Sequence, residues 1–250
     1  MMIRTAIQLY TLNDFDVTEP TKVRIAGETA VEGVELVYDG HPSAETLRAL
    51  EETELDVAGL TVGLPDLTET LDDVVSACEA LECDKIVLGF LDEQYFESTI
   101  VTQETAKLLT ELTTTLRSHG IQLLYHTHRH EFTSLGDRTH FDLLVDETEN
   151  IVKFELDLGW IAIAGYDPYK VLETVGDRTV SVHLKDVHVA NEALVNLGDG
   201  DLDMDRAWRS AVEADIDWLI YEHENPDDPV ESVVTGAAQL AKFKHLQASQ

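Results

Sequence analysis

Glu35, His126, His128, Glu131, Asp157, His183 and Glu222 stand at or beside the C-terminal ends of short, mostly apolar runs along the chain. Carboxylate and imidazole are side chains that both move protons and ligate divalent cations. Oxygen-rich sets favour Mn²⁺ or Mg²⁺, and added imidazole admits Zn²⁺ or Co²⁺. If the ends of these runs converge, several ionisable groups share one mouth. Uncompensated charge in a low dielectric is expensive, so such a cluster must be internally paired or must hold a cation. A divalent-metal site is the economical reading.

The elements that must position these groups alternate. β-type runs are predicted at Ile3–Leu9, Gly33–Val37, Leu55–Thr61, Lys85–Phe90, Ile121–His126, Val152–Asp157, Val180–Leu184 and Trp218–Glu222, each followed by a helix-like segment. The helices include Val17–Thr29, Ala44–Glu54, Thr102–Ser118 and Val230–Phe243, and Leu67–Leu81 carries apolar residues at 67, 71, 74, 75, 78 and 81, one helical face. Strand–helix alternation implies parallel pairing with right-handed crossovers, and eight units in about 250 residues is the size of a (β/α)₈ barrel. The competing doubly wound sheet usually has a glycine-rich phosphate turn after its first strand, whereas Leu9–Phe15 (LYTLNDF) contains no glycine. The expectation is one α/β domain spanning residues 1–250, a single TIM barrel, with its site at the C-terminal ends of the strands.

Composition narrows the partners. The 250 residues include 49 acidic and 17 basic side chains, a formal charge of −32, while 44% are hydrophobic, enough to bury a core. Phosphate backbones are bound by Lys and Arg replacing counterions, so nucleic acid is an unsuitable partner. The acids are spread along the chain in the manner of proteins from salt-accumulating microbes, where a Debye length of about 3 Å at 1 M salt relieves self-repulsion. No run of about 18 apolar residues occurs and Met1–Tyr10 does not read as a signal peptide, so a cytoplasmic protein without a membrane partner is expected. Cys78 and Cys83 form neither a CxxC site nor a disulfide framework and are expected to be reduced and structural.

An ordered series of motifs adds to this reading. It comprises Gly33–Leu36 (GVEL), Tyr125–Phe132 (YHTHRHEF), Glu155–Trp160 (ELDLGW) with Gly165–Pro168 (GYDP), His183–Asp186 (HLKD), Leu197–Gly200 (LGDG) and Tyr221–Glu224 (YEHE). The series resembles the sugar phosphate isomerase/epimerase superfamily, the xylose isomerase-like TIM barrels, over nearly the whole chain.

The resemblance implies a divalent metal, Mn²⁺ foremost with Mg²⁺, Co²⁺ or Zn²⁺ as alternatives, held by Asp157, His183 and Glu222 and by a first ligand from the fifth strand region. Many members carry Glu-x-His there; this chain has His126-Thr127-His128. Either His126 takes the ligand place or Glu131 folds back to supply it, and Glu131 is favoured because a third carboxylate better neutralises the ion. Glu222, with Glu131 or His128 opposite, would move the proton; Glu35, His126 and Lys185 would touch substrate. Glu155 and Glu224 are expected to be solvated or structural, His130 and His140 to be loop or surface residues. The implied activity is isomerisation or epimerisation of a sugar, keto-sugar or polyol derivative by proton transfer next to a carbonyl. Elimination from a keto-polyol or keto-glycoside at the same site, or a non-catalytic sugar-binding barrel, are the alternatives, and a homo-oligomer is allowed.

Overall fold

The computed structural model describes residues 3–247. Eight strands, β1 (Arg4–Gln8), β2 (Gly33–Val37), β3 (Asp56–Val62), β4 (Lys85–Leu88), β5 (Gln122–His126), β6 (Lys153–Asp157), β7 (Thr179–Leu184) and β8 (Trp218–Tyr221), pair in parallel and in sequence order. β8 returns to β1 through Arg4↔Trp218 to Ile7↔Tyr221 and closes the barrel. The expected (β/α)₈ architecture is therefore present. Strands covered by helices outside and filled with side chains inside have no wet face, which is why runs such as KIVL and WLIY are mostly apolar.

Helix starts are set by short polar side chains. Ser43 and Ser98 accept N–H groups of Thr46 and Val101 ahead of helices Ala44–Thr53 and Thr99–Arg117. Asp167 and Asp203 do the same for Pro168–Val175 and Met204–Glu213. The predicted helix over 67–81 is two helices, Leu64–Glu69 and Leu71–Ala80. Pro65 lets the first begin early, and Thr70, at φ −132°, ends one and opens the next. Two small hairpins went unforeseen: Ser134–Leu135 with Arg138–Thr139 after β5, and Asp186–His188 with Ala193–Val195 after β7. Strands of two or three residues are too short to show a period.

Inside the barrel, Ala6, Ala58, Trp218 and Ile220 form a small apolar cluster separate from the main core between strands and helices. Side chains alternate along a strand, so Gln8, Glu35 and Glu222, two residues beyond Ala6, Gly33 and Ile220, line the same lumen one level higher. Gly33 has a steric reason: a Cβ there would lie 2.7 Å from the Trp218 ring. Cys78 and Cys83 are buried free thiols pushed by burial to about 12 and about 11, which leaves them inert.

Candidate metal centre and pocket

Strand alternation and register assemble the site. Glu155 and Asp157 lie two apart on β6, Ser181 and His183 two apart on β7, so each pair points inward together. His126 is in register with Glu155, Asp157 with His183, and Glu222 follows the last residue of β8.

One donor atom from each of His126, Asp157, His183 and Glu222 falls within 4.8 Å of the others, all four residues being buried. His126 Nε2 is 3.9 Å from Asp157 Oδ2, and His183 Nδ1 is 3.1 Å from Glu222 Oε2. Asp157 Oδ1 accepts the Trp160 N–H at 2.8 Å, whereas Oδ2 is buried without a hydrogen bond. A buried carboxylate oxygen that makes no hydrogen bond, its nearest cation being Lys185 Nζ at 3.1 Å, among two imidazoles and a second carboxylate fits a divalent cation. Glu35, Glu155 and His183 converge in a second group below the first.

The charges are strongly coupled. Burial alone would raise the Glu222 carboxyl, but the Lys185 ammonium and His183 outweigh it and hold Glu222 well below the usual range. Burial opposes charge on His183 too, yet Glu155 and Glu35 hold it well above the ordinary histidine value. Burial raises Asp157, against the pull of Lys185 and His183. Glu155 is raised well above its usual value by burial and by Glu35. Burial, then the neighbouring His183 and His128, keep His126 neutral; burial and Lys185 push His128 down to about 3.

Several expectations need correction. Glu131 does not fold back toward the other ligands: it is fully buried, its carboxylate accepting the Tyr125 hydroxyl at 2.5 Å and the His128 N–H at 3.0 Å. His126 stands with Asp157, His183 and Glu222 instead, because it ends β5 while Glu131 lies in the short turn His130–Phe132 beyond it. Lys185, expected at the substrate, is fully buried, with Nζ 3.1 Å from Asp157 Oδ2, 2.9 Å from Glu222 Oε2 and 2.6 Å from Glu224 Oε1. Glu35 lines the pocket floor and is held by Gln8 at 2.5 Å and Thr61 at 2.7 Å. His128 lines the pocket with its Nδ1 unpartnered. His130 does lie in the turn after β5, half-buried with Nε2 2.6 Å from the Leu91 carbonyl; His140 is not at the surface but buried, 2.7 Å from the Thr102 hydroxyl.

Glu155 and Glu224, expected to be solvated or structural, both stand at the site. Glu155 is fully buried and meets both histidines of the centre; Glu224 lines the pocket and anchors Lys185. Period-2 alternation contained the Glu155 signal, since an inward Asp157 requires an inward Glu155. The LGDG segment wraps Asp186, whose Oδ2 accepts the N–H groups of Gly198 and Gly200 at 2.8 and 2.9 Å. A Cβ at 200 would lie 2.2 Å from Asp186 Oδ1, so this glycine is required for the close approach.

Above the cluster opens a cavity of about 880 Å³ at the C-terminal ends of the strands. Phe90, 55% exposed, and Trp160 supply apolar surface beside His128. Glu35, Asp92, Glu93, Glu155, Glu222 and Glu224 line it; the one Lys or Arg among its described lining residues is Arg129, already paired with Glu192 at 2.5 Å.

Residues 23–243 match the family described as xylose isomerase-like TIM barrel. Among curated proteins, no sequence matches significantly. A sugar phosphate isomerase/epimerase from Parabacteroides distasonis superposes with a TM-score of 0.79 at 17% identity, covering 97% of this chain and 98% of that one. The probable 3-DHS dehydratase of petrobactin synthesis from Bacillus anthracis gives 0.77 at 16% identity, over 96% and 99% of the two chains. An L-ribulose 3-epimerase gives 0.75 at 13%, over 99% and 97%. At these identities the likeness is one of fold. Among the described residues, no helix is long and apolar enough to cross a membrane.

Proposed function

This chain belongs to the xylose isomerase-like TIM barrel family, and from that premise we propose that it is a divalent-metal-dependent isomerase or epimerase of an uncharged sugar, keto-sugar or polyol, acting by proton transfer beside a carbonyl. The observation that carries the reading is the convergence of His126, Asp157, His183 and Glu222 under an open cavity of about 880 Å³.

Those four residues would hold the metal. A bound divalent ion would supply positive charge to a carbonyl and its neighbouring hydroxyl as charge develops there. Glu222, kept ionised by Lys185 and His183 and exposed to the cavity, takes the proton from carbon. His128, neutral and lining the cavity, steers the ring, with Phe90 and Trp160 as apolar walls. One carboxylate serving adjacent carbons gives aldose–ketose isomerisation; proton delivery from a second group gives epimerisation.

The acidic lining supports an uncharged substrate. A phosphate dianion would meet six carboxyl-bearing side chains, against His183 at the floor and an arginine already paired with Glu192.

Solvent deuterium uptake into a panel of keto-sugars and inososes, with Mn²⁺ in concentrated KCl, tests the proposal. Exchange at one carbon, lost in Asp157→Ala and His183→Ala, is the expected result. Exchange followed by loss of a β-hydroxyl would make the enzyme a dehydratase. No exchange with any compound, and no metal bound, would leave a sugar-binding barrel.

A further inference from the structure

We propose that Glu155 is the positioning residue of the metal centre, one carboxylate fixing which nitrogen of His126 carries hydrogen and, together with Glu35, which nitrogen of His183 does. The inference rests on the metal-binding reading above. Its basis is a single oxygen. Glu155 Oε2 lies 2.9 Å from His126 Nδ1 in a hydrogen bond and 3.2 Å from His183 Nε2, while Glu35 Oε1 is 3.3 Å from that same His183 nitrogen. His183 Nε2 thus sits between the two carboxyl groups, with no well-aligned hydrogen bond to either.

Neutral imidazole has one donor and one acceptor nitrogen, and the metal takes the acceptor. A hydrogen on His126 Nδ1 leaves Nε2 bare, and Nε2 is the atom facing Asp157. A hydrogen on His183 Nε2 leaves Nδ1 bare, and Nδ1 faces Glu222. Both rings thus present the correct atom to one point because the same carboxylate stands behind them. Glu155 is itself fixed: the Ser181 hydroxyl donates to Oε1 at 2.6 Å, and the residue is fully buried on the inward face of β6.

This arrangement accounts for a histidine at position 126. A fourth ligand that is neutral leaves two ligand carboxylates, Asp157 and Glu222, beside the ion. Glu155 supplies a carboxyl oxygen behind it, on the far side of the His126 ring. The two rings are not equally dependent on it. His183 keeps Glu35 when Glu155 is altered; His126 has no second acceptor on Nδ1 among the described contacts.

The test is a titration of the purified protein with Co²⁺ and with Zn²⁺, comparing wild type with Glu155→Gln, together with long-range ¹H–¹⁵N spectra of the histidine rings in the Zn²⁺ form. The wild-type complex is expected to show His126 protonated at Nδ1 and His183 at Nε2. Glu155→Gln is expected to bind both metals about 10–100-fold more weakly. Its Co²⁺ absorption should change, and the His126 ring signature should be lost while that of His183 is kept. Equal affinity in a folded Glu155→Gln protein, or equal loss at both rings, overturns the inference and leaves the metal site standing. If the variant does not fold, the wild-type spectrum decides: hydrogen on His126 Nε2 or His183 Nδ1 in the Zn²⁺ complex overturns it. No metal binding by the wild type overturns this inference and the metal reading together.

Discussion

Lys185 Nζ lies 2.9 Å from Oε2 of Glu222, the same oxygen that meets His183 Nδ1 at 3.1 Å. The carboxylates of the centre therefore share an internal cation before any ion arrives. Removing one member of a buried ion pair leaves the others uncompensated, at about 3–5 kcal/mol. Lys185→Met should lose that much stability in the metal-free protein by urea unfolding. Because a bound cation restores the charge balance, Mn²⁺ should stabilise this variant more than it stabilises wild type.

The ligand set makes opposite demands on two neighbours in the fifth loop. His126→Ala should weaken divalent-metal binding by at least the about 10–100-fold that follows loss of an outer partner. Glu131→Gln should leave affinity unchanged, since its carboxylate serves Tyr125 and the His128 backbone. Calorimetric titration separates the two; a large loss with Glu131→Gln would return that residue to the centre.

Acid should destabilise the fold through a histidine away from the pocket. His140 is held below its ordinary value by burial. With the folded value depressed, the unfolded chain binds the proton first, so stability rises with pH in this window. The contribution is complete above the unfolded value of about 6.5 and is lost as pH falls toward the folded value, at most about 1.4 kcal/mol per pH unit for one proton. His140→Gln should flatten that part of the urea-stability profile.

Charge selection is testable with matched ligands. A ketose and its phosphate ester should differ in affinity by at least about tenfold, roughly 1.4 kcal/mol, in favour of the free sugar. The gap should narrow as KCl screens the carboxylates. Tighter binding of the ester would refute the uncharged-substrate reading.

Salt should also act on the whole molecule. With a formal charge of −32, the folded chain repels itself in dilute buffer. Its thermal midpoint should climb steadily between about 0.1 and 1 M KCl, where the Debye length shrinks from about 10 to 3 Å. A flat response would show that the acids are locally compensated.

The barrel was legible because its signals are local: apolar runs bounded by helix-like segments need no knowledge of distant residues. Asp157, His183 and Glu222 were legible as strand ends. What stayed hidden depended on direction and partnership. Whether His126 or Glu131 joins the cluster turns on a tight turn at His130–Phe132, which carries no period. Lys185 read as a substrate contact because its three carboxylate partners come from elements up to 39 residues away. Glu155 is hard to single out for a different reason: in a chain this rich in acids residue type alone carries little weight, and only its alternation with Asp157 marks it as inward-facing.

The indole of Trp218, wedged against Gly33 at the lower end of the lumen, makes the barrel a vessel with one doorway. A molecule that reaches the reactive depth goes in head first and backs out the way it came. Tolerance for size should accordingly be lopsided, strict at the end that meets Glu222 and permissive for groups trailing past Phe90 toward solvent.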